Sequence, residues 1–112
     1  MSFDFNGTEI ETTANGHLED QEAWTEDLAR ALAAADDLDL TDRHWDLINF
    51  LRSEFFDNRE NQPNTRNIGK AMGAIWGDKP SSKDLYDLFP GDPSKQGSKI
   101  AGLPESRRKG GY

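Results

Sequence analysis

The sequence predicts a mainly α (α+β) fold, a small N-terminal β-hairpin followed by five helices. Two observations predict it. Residues 3–10 alternate polar and apolar side chains around Asn6-Gly7, the dipeptide most typical of a two-residue hairpin turn. From Asp20 onward, apolar residues recur at helical spacing in five segments bounded by capping residues, glycine or proline.

The elements follow in order. The hairpin spans Phe3 to Ile10, and its surroundings end by Asn15-Gly16. Asp20 caps a first helix carrying Trp24, Leu28, Ala31, Leu32 and Ala35, which stops in the acidic link Asp36-Asp37-Leu38-Asp39. Thr41 caps a longer, central helix through about Asn58, with Trp45, Ile48, Leu51 and Phe55 on one buried stripe widened by Leu47, Phe50 and Phe56. Asn61-Gln62-Pro63 breaks it. Ile68, Ala71, Met72, Ile75 and Trp76 mark a third helix closed by Gly77. Ser81 or Ser82 caps a short fourth one that carries Leu85, Leu88 and Phe89 and ends before Pro90. Pro93 fits the first turn of a fifth helix through Lys99 or Ile100, with Gly102 near its end. Residues 1–104 form one domain and 105–112 a mobile basic arm, which has no apolar residue before Tyr112.

A chain of 112 residues that is 34% apolar supports a single modest core. No run approaches a membrane span and Met1-Ser2-Phe3 begins no secretory signal, so a soluble, cytoplasmic chain is expected. The absence of cysteine excludes disulfides, thiolate metal sites and thiol redox chemistry. The net charge of −8 is unevenly spread: residues 1–40 hold eleven acids and one base, whereas residues 94–112 hold five bases and one acid. An acidic body disfavours general nucleic-acid binding, and the basic arm fits an acidic partner or the chain's own N-terminal half.

No catalytic constellation emerges. Trp45 belongs to the core by its place on the stripe. His17 and His44 are far apart in sequence and make a weak metal signal. The acidic run Asp36, Asp37 and Asp39 lacks the glycine turn and closing glutamate of a calcium loop. There is no phosphate-binding glycine loop, no nucleophile elbow and no base near Ser98 or Ser106 in sequence, and no cofactor is implied. The distinctive segment is C-terminal, where Lys95-Gln96 and Lys99-Ile100-Ala101-Gly102-Leu103-Pro104 join a small amphipathic helix to an abrupt Gly/Pro exit.

These last residues carry a resemblance. With Gly16-His17-Leu18, Trp24, Leu40-Thr41, His44-Trp45, Phe50-Leu51-Arg52, Leu88-Phe89-Pro90 and Lys95-Gln96, the stem Lys99 to Pro104 resembles the DsrC/TusE family of sulfur-relay proteins. The resemblance implies an N-terminal hairpin packed on an orthogonal five-helix bundle with a helix-turn-helix-like core and a flexible C-terminal arm. It also implies a place in sulfur trafficking: persulfide relay toward tRNA thiolation in TusE-like members, docking into dissimilatory sulfite reductase in DsrC-like ones.

The departures are equally informative. The family carries sulfur on a penultimate arm cysteine, and DsrC-like members have a second one before the Lys-Ile-Ala-Gly-Leu-Pro stem. Those positions hold Gly111 and Ser98 here. Neither can carry a persulfide, because a serine alkoxide is not accessible near neutral pH and glycine has no side chain. The expected function is therefore docking or regulation without sulfur transfer, and no enzymatic activity. The partner would be a protein of a sulfur-relay or sulfite-reductase system, met by Lys95, Lys99, Arg107, Arg108 and Lys109, with Arg66 and Lys70 as an inner basic lining. The alternatives are an engineered inactive carrier and a helix-turn-helix regulator of sulfur genes. For the regulator, Arg43, Arg52, Arg59 and Arg66 are diluted by acids.

Overall fold

A computed structural model describes residues 2–104. Strands β1 (Ser2–Phe5) and β2 (Thr8–Glu11) pair antiparallel, with Phe3 opposite Ile10 and Phe5 opposite Thr8. Asn6 and Gly7 both take positive φ, 52° and 87°, which makes the expected two-residue turn a type I′ turn. Phe3, Phe5 and Ile10 turn toward the helices and pack against the core.

Five α-helices follow: α1 (Glu26–Ala35), α2 (Asp42–Asp57), α3 (Thr65–Trp76), α4 (Ser82–Leu88) and α5 (Pro93–Ile100). The caps of α2 and α4 are the expected Thr41 and Ser81, whereas Asn64 and Asp92, the caps of α3 and α5, were not anticipated. Thr41, Asn64, Ser81 and Asp92 precede α2 to α5, Gly77 closes α3 in the left-handed conformation, and Pro93 opens α5. Phe89, Leu85, Ile100 and Leu103 join Leu28, Leu32, Leu47, Ile48, Leu51, Ile68 and Met72 in one buried cluster.

The first predicted helix is corrected. Asp20 caps only a 3₁₀ turn, Gln21–Ala23, and the chain is extended at Trp24 (φ −70°, ψ 135°). The α-helix restarts at Thr25, whose hydroxyl accepts the Leu28 N–H. Thr25 with Glu26 and Asp27 is a complete helix start of its own, so two caps compete over six residues. The break frees the Trp24 indole to serve a distant carbonyl.

Two further expectations yield. Phe56 and Ile75, read as stripe residues, are 52% and 56% exposed, because α2 and α3 are covered over a narrower arc than their apolar patterns. The longest helix is also not the hub. The eight-residue α5 touches α1, α2, α3 and α4. Gly97 permits this: a Cβ there would sit 2.9 Å from Leu51 Cδ1 and 3.2 Å from Leu47 Cδ2, so only glycine lets α2 approach this closely.

Candidate functional site

The end of α5 is backbone tied down by side chains from four other segments. A helix leaves its last four carbonyls without intrahelical partners. Here a Schellman turn takes two of them: Gly102 N–H donates to Lys99 O and Leu103 N–H to Ser98 O, with Gly102 at φ 75°. The next carbonyls are taken by side chains from four separate segments. Trp24 Nε1 donates to Ile100 O at 2.9 Å, and Arg52 Nη1 to Ala101 O at 2.7 Å. His17 Nδ1 meets Leu103 O at 3.1 Å, and Gln62 Nε2 donates to Pro104 O at 2.8 Å. A carbonyl only accepts, so His17 carries its proton on Nδ1 in this contact.

The clamp is packed as well as bonded. The Arg52 guanidinium lies 3.8 Å over the Trp24 ring and 4.9 Å from that of Phe56. Burial lowers the Arg52 pKa, since the charged form is partly removed from water. A Cβ at Gly102 would fall 2.6 Å from Trp24 Cγ and 2.8 Å from Trp24 Cβ, so this turn and the indole exclude any other residue. Ile100, Ala101 and Leu103 are fully buried. The stem therefore belongs to the rigid body up to Pro104.

Ser98 lies inside this stem. It is 1% exposed, and its Oγ has no hydrogen-bond partner among the described residues. No base approaches it, so it is a buried hydroxyl and not a nucleophile. His44 is likewise occupied. Its Nδ1 accepts the Thr41 N–H at 3.0 Å, and its Nε2 donates to Leu88 O at 2.8 Å, which ties the start of α2 to the end of α4. Among the described residues no cluster of His, Asp or Glu is arranged to hold a metal.

The predicted contact residues separate. Lys99 points inward and meets Asp36 Oδ2 at 2.5 Å, where Gln96 Nε2 also donates at 3.0 Å. Burial alone would raise the Asp36 pKa, but the bonds from Lys99 and Gln96 and the lysine's charge outweigh it and hold the carboxyl below its ordinary value. Lys95 is exposed on α5, and Arg66 and Lys70 are exposed on α3. Arg107, Arg108, Lys109 and Gly111 lie outside the described residues. The clamp side chains His17, Trp24, Arg52 and Gln62 were not singled out as a group by sequence reasoning. Their one local signal is a polar group among apolar neighbours, as with Arg52 beside Leu51 and Phe55.

The comparisons with known proteins bear on this stem. A family model described as DsrC like protein matches residues 4–108. The sulfurtransferase TusE homolog of Haemophilus influenzae is 44% identical over 101 residues, covering 89% of this chain and 92% of that protein. Sulfurtransferase TusE of Pectobacterium atrosepticum is 43% identical over 103 residues, covering 91% and 94%. The NMR structure of Allochromatium vinosum DsrC superposes with a TM-score of 0.83 at 35% identity, covering 96% of each chain. The oxidized gamma-subunit of dissimilatory sulfite reductase (DsrC) from Archaeoglobus fulgidus superposes with a TM-score of 0.84 at 30% identity, covering 96% of this chain and 98% of that one.

Proposed function

The chain belongs to the DsrC-like protein family, and we propose that it is a docking or regulatory member of a sulfur-relay system that carries no sulfur itself. The observation that carries the reading is the combination of an intact stem with no thiol. The clamp formed by His17, Trp24, Arg52 and Gln62 holds the backbone to Pro104, while the chain contains no cysteine and position 98 is a buried serine. Sulfur transfer by persulfide needs a thiolate, so what the fold retains is the shape a partner recognises. Relatives named sulfurtransferase, and a relative named as a subunit of dissimilatory sulfite reductase, make a protein of one of these systems the partner expected. No helix among the described residues is long and apolar enough to cross a membrane.

A competition experiment tests the proposal. This chain is added to a reaction in which a cysteine-bearing relative accepts persulfide sulfur from its donor, and intact mass is read for both proteins. The expected result is slower loading of the relative with no added sulfur on this chain. Unchanged loading at a large excess of this chain sinks the docking reading. Sulfur found on this chain sinks the cargo-free one.

A further inference from the structure

The surface between α3 and the link into α4 forms a cleft of about 330 Å³ lined by Thr65, Arg66, Lys79, Ser81, Ser82 and Leu85. Three features coincide there. The first is the amino end of the twelve-residue α3. Asn64 takes the Asn67 N–H with its side chain and the Ile68 N–H with its carbonyl, and leaves the Thr65 and Arg66 N–H groups without a bond among the described residues. The dipole of α3 adds partial positive charge at that end.

The second feature is charge. Arg66 and Lys79 are both exposed and neither makes an ion pair among the described residues, although the chain as a whole is acidic. Asp84, the acid of the first α4 turn, is engaged by the Ser81 N–H at 3.0 Å. The third feature is Thr65. It is 3% exposed in the cleft wall, and its Oγ1 has no hydrogen-bond partner among the described residues. Buried hydroxyls are almost always satisfied, so an unpartnered one beside free N–H groups and two cations points to an acceptor supplied from outside.

We propose that this cleft binds a tetrahedral oxyanion of the phosphate or sulfate class. Its oxygens would accept from the Thr65 hydroxyl and the N–H groups of Thr65 and Arg66, with Arg66 and Lys79 supplying the countercharge. This goes beyond the docking reading and does not rest on it, because the ligand is a small free ion.

Amide NMR of the full chain, titrated with sodium phosphate and separately with sodium sulfate at constant ionic strength, tests it. The expected result is saturable shifts of the Thr65 and Arg66 amides. The pair Arg66→Ala and Lys79→Ala should weaken binding at least about tenfold, as loss of charge-assisted contacts requires. Arg30→Ala, on α1 and not part of the cleft lining, should leave it unchanged. Thr65→Val removes the hydroxyl at nearly constant shape and should also weaken binding. If that buried variant does not fold, the two exposed positions still decide. Shifts that never saturate, or that survive Arg66→Ala with Lys79→Ala, overturn the proposal. So does an oligoribonucleotide that binds this cleft where phosphate and sulfate do not.

Discussion

Arg52 Nη1 donates to the carbonyl oxygen of Ala101 at 2.7 Å, joining α2 to a residue 49 positions away. The same guanidinium covers the Trp24 ring, and Trp24 itself bonds Ile100 O, so two of the clamp's bonds share one stack.

Arg52→Ala therefore removes a charge-assisted bond and the cover of Trp24 together, and leaves the buried Ala101 carbonyl without its donor. The expected loss is about 2–3 kcal/mol, read from urea unfolding. Arg52→Lys should recover only part of it, because an ammonium lacks the planar face that stacks on the indole. Equal stability of the lysine variant and the native chain would show that charge alone matters.

The Asp36–Lys99 pair makes stability depend on acid. Asp36 has a folded-state pKa below its ordinary value of 3.8, so the unfolded chain binds its proton first. Its contribution is present above 3.8 and is lost as pH falls through the lower folded value. Asp36→Asn should flatten this acid side of the stability curve and lower stability at neutral pH, by less than loss of a fully buried pair would, because water still reaches both side chains. A variant curve parallel to the native one throughout the acid side would remove Asp36 from the account.

Ser98 carries a buried hydroxyl with no partner among the described residues, so Ser98→Ala should stabilise the chain by about 1 kcal/mol. Ser98→Cys tests the meaning of the position. A thiol enclosed by the clamped stem should react with an aromatic disulfide reagent only when the protein unfolds, and its rate should rise when Arg52→Ala loosens the clamp. Rapid labelling of the folded protein would show that the stem opens readily.

Local signals made most of the fold legible. Thr41, Ser81, Gly77 and Pro93 each announce an end of a helix through chemistry within four residues, and the structure agrees with each. Trp24 was misplaced because Asp20 and Thr25 both read as helix caps, and local sequence does not show the Ile100 carbonyl, 76 positions away, that the indole serves once the helix starts at the second. Lys95 and Lys99 look alike in sequence, four residues apart on one helix. Only the packing of α1 against α5 gives Lys99 an acid to bury and leaves Lys95 in water. Arg52 was counted among diluted surface bases because nothing near it in sequence shows a carbonyl that needs a donor. Apolar periodicity gives the direction of a buried face but not its width, and so included Phe56 and Ile75.

The docking proposal can be tested at the C-terminal bases. Residues 94–112 are the only part of the chain with a clear positive excess, and Lys99 is already held by Asp36. Arg107, Arg108 and Lys109, with Lys95 on the surface of α5, are the charges left for an acidic partner surface. Reversing the three C-terminal bases to glutamate should weaken capture of a relay or sulfite-reductase partner at least about tenfold, mainly by slowing association, and the deficit should shrink as salt rises. Lys95→Glu alone should have a smaller effect in the same direction. The measurement is a pull-down with the purified partner at two salt concentrations, with circular dichroism to verify the fold. If the triple reversal retains native recovery at low salt, docking does not use these charges, and the exposed Phe56 beside the Arg52–Trp24 stack becomes the face to mutate next.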